Sequence, residues 1–211
     1  TDPELTQSSV MMFARREAMP KEFKNTLIGI SYNYIYSFVM QMMSARFDEI
    51  AQAADAPFLG GGMSEGGIGI CPTLESTMFS VTAHEGRTDE AFRAMYTEME
   101  RMRRHGFTVG EFERAKQEIL RWAERQYTNR NDVKNAEYAQ RCLDHYAEGT
   151  PMLDAETEWQ LDQALINSLT VDQVNQAYLS MVTGNENLVI LVRSPKKEGL
   201  NIVSEEGINA I

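Results

Sequence analysis

The sequence predicts an α+β domain in which an antiparallel β-sheet packs against helices. Three observations lead there. A strand pattern opens the chain, two further strand patterns follow one long helical run, and a last apolar strand comes only after an unbroken block of helices. That order lacks the strict β–α alternation of a parallel sheet. The 211 residues, 43% hydrophobic and 24% charged, supply enough apolar surface for a real core and exclude overall disorder.

Across Ser8 to Glu17, Val10, Met12 and Ala14 alternate with Met11, Phe13 and Arg15, the period of a strand. Pro20 then opens a long helix, where its missing N–H costs nothing. Leu27, Ile30, Tyr34, Phe38, Met42 and Ile50 recur at helical spacing and carry that helix to about Ala54. From Phe58 to Ile70, seven of thirteen residues are glycine or serine, which predicts an irregular or bulged strand. Leu74 to His84 alternates more regularly and forms the next strand.

Thr88 is the expected N-cap of a helix with Asp89 and Glu90 in its first turn. Phe92, Met95, Met99 and Met102 form its buried stripe, and Gly106 ends it. Thr108 and Glu111 have capping-box spacing, and the helix they open presents Phe112, Ala115, Ile119, Ala123 and Tyr127 on one face. Further helices are expected over about 132–147 and 155–167. Thr170 and Gln173 form a second capping box for a helix to Met181, and 187–193 is the last strand. The organisation expected is one domain over 1–195 and an interdomain linker over 196–211. The opening Thr1-Asp2-Pro3-Glu4 reads as a start inside a longer polypeptide.

Charge narrows the partners. Lys and Arg total 20 against 31 Asp and Glu, a formal net charge of -11, so no basic face for nucleic acid is expected. The uncharged run from Asn25 to Ala45 is long enough to span a bilayer. However, Asn25, Thr26, Ser31, Asn33, Ser37, Gln41 and Ser44 interrupt it, so a helix largely buried in a domain is expected instead of a membrane span. Cys71 and Cys142 fit no metal or redox spacing and read as buried free thiols, with one disulfide as the alternative in an exported protein.

Candidate chemistry is sparse. His84, His105 and His145 are never paired at i, i+4. His145-Tyr146-Ala147-Glu148-Gly149 has the first His and the Glu of an H-x-x-E-H run, but Gly149 stands where the second His belongs. The glycines at 60–62, 66, 67 and 69 are followed by no Gly-Lys-Ser/Thr, so they read as a sheet edge that could accept a peptide as an added strand. Asp48-Glu49 and Glu205-Glu206 read as solvated charge. The methionines at 40, 42, 43, 95, 99 and 102 read as core. An enzyme using Cys71 or Cys142 is the alternative of a different class.

Several phrases resemble the insulinase-like zinc metallopeptidases, the family of pitrilysin and the mitochondrial processing peptidases. Asp2-Pro3-Glu4-Leu5 resembles the entry to the domain after the catalytic one. The run from Met42 to Gln52 resembles "M-L-x-x-R-L-x-E-I", followed by Ala56-Pro57-Phe58. The run from Gly106 to Lys116 resembles "G-F-T-x-x-E-L-x-x-A-K". Gly149-Thr150-Pro151 and Ser168 to Asn175, with its "L-T-x-x-x-V-N", complete the series. The resemblance implies a non-catalytic domain that lacks H-x-x-E-H and encloses peptide substrate. Its partner would be a zinc-bearing catalytic domain of the same polypeptide, in a parent that degrades peptides or unfolded proteins. It assigns this chain no catalytic, cofactor-binding or metal-binding residue. Some relatives supply an Arg and a Tyr beside the zinc. Arg46 has the matching place for the Arg, but Ala53 and Phe58 lie where the Tyr would be, so Arg46 reads as structural. A catalytically inactive structural or protein-binding module is the alternative. A periplasmic or extracellular bacterial address is favoured for the parent, and a homo-oligomer is left open.

Overall fold

A computed structural model describes residues 4–68, 71–182, 187–200 and 203–211, the side chain of Pro72 apart. In chain order the elements are β1 (Ser8–Glu17), α1 (Lys21–Lys24), α2 (Leu27–Ala51), β2 (Phe58–Ile68), β3 (Cys71–Ala83), α3 (Thr88–His105), α4 (Val109–Thr128), α5 (Asn135–Glu148), α6 (Ala155–Ser168), α7 (Val171–Met181), β4 (Leu188–Arg193) and α8 (Glu205–Asn209). The α+β class read from the sequence is borne out. The chain divides into two compact units. The first comprises Thr1–Glu17, Met40–Gly106 and Tyr178–Ile211, and the second Ala18–Val39 and Phe107–Ala177.

The first unit is built on a four-stranded antiparallel sheet in the order β2-β3-β1-β4. Strand alternation sends Val10, Met12 and Ala14 of β1, and Thr77, Phe79, Val81 and Ala83 of β3, to one buried face. The α3 stripe of Phe92, Met95, Met99 and Met102 is buried, as are Met42, Met43 and Phe47 from the second half of α2. Each such side chain contributes about 1.5–3 kcal/mol on leaving water. Phe47 meets Phe58 edge-on, with ring centroids 6.0 Å apart.

The second unit is helical. Phe38 of α2 stacks on Phe112 of α4 at 4.8 Å. The sequence-predicted face of α4 is in place: Phe112, Ala115, Ile119 and Ala123 are buried, and α4 packs along α6. Both capping boxes form. The Thr108 hydroxyl accepts from the Glu111 N–H at 3.3 Å and the Glu111 carboxylate accepts from the Thr108 N–H at 2.8 Å. Thr170 and Gln173 repeat the arrangement at 3.3 and 2.9 Å. Gly149 caps α5 in the left-handed conformation, φ 77°, which favours glycine.

Several expectations are corrected. The long helix is broken at Asn25-Thr26, because the Thr26 hydroxyl accepts from the Gly29 N–H and donates to the Phe23 carbonyl, capping a new helix. It also stops at Ala51 and not Ala54. Nor is its first half largely buried: Leu27 is 64% and Ile28 62% exposed. Among the described residues no helix is long and apolar enough to cross a membrane. Thr88 is the first residue of α3 and is buried, so the cap falls on Arg87, which makes no side-chain capping bond. The bulged character of β2 is seen as register shifts between Phe58 and Gly60 and between Gly67 and Ile68. Neither thiol is buried. Cys71 is half-buried and Cys142 exposed, because α5 has no buried residue at all. Asp2, Pro3, Gly69, Ile70, Asn201 and Ile202, which entered the sequence reading, lie outside the described residues.

Candidate functional site

The polar groups suited to chemistry turn out to be engaged in holding the fold. The three histidines sit at the ends of three elements. His84 follows β3, His105 closes α3, and His145 lies in the last turn of α5 with its Nδ1 2.7 Å from the Thr150 carbonyl. Among the described residues no three His, Cys, Asp or Glu side chains converge so as to hold a metal ion. The described residues therefore do not fit zinc.

Arg46 projects from α2 toward α3. Its Nη1 donates to Glu98 at 2.6 Å and its Nη2 to the Gly106 carbonyl at 3.4 Å. Glu98 is 5% exposed and also accepts from Arg101 at 2.9 Å. Arg46 thus does what a structural arginine does, pairing a buried carboxylate and satisfying a helix-end carbonyl. On the same helix the Tyr178 hydroxyl of α7 donates to the Met99 carbonyl at 3.0 Å, and burial pushes its pKa up.

At the far end of the inner sheet face, Arg16 reaches Glu65, Glu75 and Thr77. The Thr77 hydroxyl donates to Glu65 at 2.5 Å. Glu65 is only 6% exposed, so this network closes the polar end of an otherwise apolar face. In the second unit the Tyr34 hydroxyl donates to the buried Asp162. Burial raises the Asp162 carboxyl, opposed by the Tyr34 bond and reinforced by Glu158. Burial first, then the Asp162 partner, raises Tyr34. A cavity of about 630 Å³ lies in the first unit among Met12, Phe92, Tyr96, Ile190, Val203 and Ile208, with α8 forming one wall. Its lining is mixed, with Ser204, Glu205 and Asn209 beside the apolar side chains.

What remains is the sheet itself. β2 pairs with β3 on one side only, so it is an edge strand. Between its two register shifts it runs regularly from Gly60 to Gly67. Its glycines divide into two kinds. A Cβ at Gly61 would sit 2.8 Å from Val81 Cγ1 and 3.0 Å from the Ser80 carbonyl, so glycine is required there by packing. A Cβ at Gly60, Gly62, Gly66 or Gly67 would meet nothing within 4 Å. Gly66, at φ 159°, is explained by its backbone; at Gly60, Gly62 and Gly67 the chain's own packing gives no reason for glycine. On the outward sheet face β1 presents Met11 and Phe13, half-buried, and an exposed Arg15; β4 presents exposed Val189 and Leu191. Sequence reasoning marked the glycine-rich edge but missed Met11, Phe13 and Arg15 as outward-facing groups. The β1 alternation was the available signal.

No family model matches the chain. Among solved structures, the first half of the periplasmic protease PqqL from Escherichia coli superposes with a TM-score of 0.85 at 20% identity, over 99% of this chain and 44% of that one. This chain has the insulinase-like peptidase fold. The probable zinc protease PqqL of Escherichia coli (strain K12) is also similar in sequence, 23% identical over 143 residues, 68% of this chain. The chain spans only about 15% of that relative's length. A predicted insulinase-family protease from Yersinia pestis gives a TM-score of 0.80 at 11% identity, over 98% of this chain and 43% of that one. The inactive domain of an M16 peptidase from Pseudomonas fluorescens gives 0.62 at 14% identity, over 92% and 42%.

The insulinase-like phrases of the sequence now have places. Arg46, from the "R-L-x-E-I" phrase, reaches Gly106, which opens the "G-F-T" phrase. Asn175, from the "V-N" phrase, brackets the backbone of Phe107, accepting from its N–H at 2.7 Å and donating to its carbonyl at 3.2 Å. These three phrases are therefore joined to one another in the fold.

Proposed function

We propose that this chain is a non-catalytic, substrate-holding domain of a zinc metalloendopeptidase that degrades peptides or unfolded proteins. In this reading residues 1–195 form the peptidase-type domain, and 196–211 lead on toward the rest of the polypeptide. Zinc and bond breaking belong to a catalytic domain elsewhere in that polypeptide. Extended substrate docks along the open edge of β2, and its backbone N–H and C=O groups take up the pairing that β2 leaves free. The observation that supports this best is the regular edge from Gly60 to Gly67, with glycines at 60, 62 and 67 that its own fold does not need. A periplasmic address for the parent is supported by this chain's likeness to a periplasmic protease.

A second reading is a structural or protein-binding module with no substrate role, favoured by the likeness to an inactive peptidase domain. Hydrogen exchange on the 211-residue chain, with and without excess casein peptides, separates the two. Slowed exchange confined to residues 58–68 is the expected result. Unchanged exchange across β2 would reject the substrate-holding reading in favour of the second.

A further inference from the structure

The register of the sheet arranges its outward side chains in four rows, each running inward from the β2 edge. The first is Gly60, Thr82, Ser9, Arg193. The second is Gly62, Ser80, Met11, Leu191. The third is Ser64, Met78, Phe13, Val189. The fourth is Gly66, Ser76, Arg15. Two apolar rows thus lie side by side, flanked by one row that ends in Arg193 on β4 and one that ends in Arg15 on β1. Arg15 is exposed and has no ion pair among the described residues. Among the described strand residues the other charged groups on this face are Glu17 and Arg193, both exposed. The face therefore carries two cations and one anion in a chain whose net charge is -11.

Resting on the edge-docking reading above, we infer that the outward face selects a sequence pattern. The bound strand presents large apolar side chains at two alternate positions and a glutamate at the next alternate position. Side chains of an added strand at every second residue fall in line with these rows. An apolar side chain level with Gly62 or Ser64 lies over small edge residues and reaches Met11 or Met78. Opposite Gly66, the distance from β1 to an added strand is three strand spacings, roughly 14 Å. An extended arginine and glutamate span it between them, passing over the small residues Ser76, itself buried, and Gly66. Charge complementarity selects the acid, since Arg15 is the cation at that row.

The probe is a capped decapeptide of threonines carrying phenylalanine at two alternate positions and glutamate at the next, with its reversed sequence to test both directions. Fluorescence anisotropy with the 211-residue chain is the readout. In the better direction, replacing the glutamate by glutamine is expected to weaken binding about fivefold, the upper range for an exposed charge pair. Replacing both phenylalanines by serine weakens it by roughly tenfold or more. Arg15→Gln removes the glutamate preference and leaves the phenylalanine preference intact. Shifting the glutamate by one residue, to the opposite face, makes it equivalent to glutamine. A glutamate preference that survives in Arg15→Gln, or serine peptides that bind as well, would overturn the inference while leaving edge docking in place. Failure of every peptide to bind, with unchanged exchange across β2, would remove both.

Discussion

Asn175 holds both polar groups of the Phe107 peptide, its Oδ1 2.7 Å from the Phe107 N–H and its Nδ2 3.2 Å from the Phe107 carbonyl. A side chain thereby supplies the pairing a strand neighbour would give, at the point where α3 has ended and α4 has not begun. Asn175→Ala removes two hydrogen bonds from the backbone of the buried Phe107 and is expected to cost about 1–3 kcal/mol in urea unfolding. Asn175→Asp keeps the acceptor, loses the donor, and falls between.

Arg46 and Glu98 give a sharper test of structural against catalytic assignment. Arg46→Met strands a carboxylate that is 5% exposed, though Arg101 still reaches it. A loss of about 2–3 kcal/mol is expected, below the usual 3–5 for a broken buried pair because one partner remains. Adding Glu98→Gln to Arg46→Met should restore part of the stability. Peptide binding at the β2 edge should be unchanged in both, as measured by anisotropy.

Neighbouring glycines should behave oppositely. Gly61→Ala forces a methyl against Val81 and the Ser80 carbonyl and is expected to destabilise by about 1–3 kcal/mol. Gly62→Ala enters open space and is expected to be neutral or to stabilise by up to about 1 kcal/mol through the unfolded chain. Thermal unfolding of the two variants side by side decides this.

Asp162 makes stability depend on pH in a defined sense. Its folded pKa lies above the ordinary 3.8, chiefly through burial. The folded state then holds the proton more tightly than the unfolded one. The resulting stabilisation is full below pH 3.8 and is lost as pH rises through the raised value. Asp162→Asn removes that titration. Unfolding free energies measured from neutral to acid pH should show wild type gaining on the variant as pH falls. A difference flat across that range would count against a raised carboxyl.

The fold was legible where signals are local. Thr108 with Glu111 and Thr170 with Gln173 lie three residues apart, so their capping boxes were visible in the sequence, as was the strand period of Ser8 to Glu17. The break at Thr26 was not visible, because one hydroxyl inside an uncharged helical run looks like any polar interruption. The burial assigned to Cys142 failed for another reason. Whether a helix face is covered depends on its neighbours, and α5 has none over that face. Partners such as Arg16 with Glu65, Tyr34 with Asp162 and Asn175 with Phe107 are separated by 49, 128 and 68 residues, which no spacing rule reaches. Of the candidate site, the glycine-rich edge could be read, but only the register separates Gly61 from Gly62 and aligns Arg15 with Gly66.

The proposed division of labour, with bond breaking housed in a separate catalytic domain, is open to one direct measurement. The untagged 211-residue chain would be dialysed against zinc, then against metal-free buffer, and its metal content determined by elemental analysis. The chain is expected to retain no stoichiometric zinc. One tightly held zinc per folded chain would contradict the account, since the bond-breaking site would then belong here.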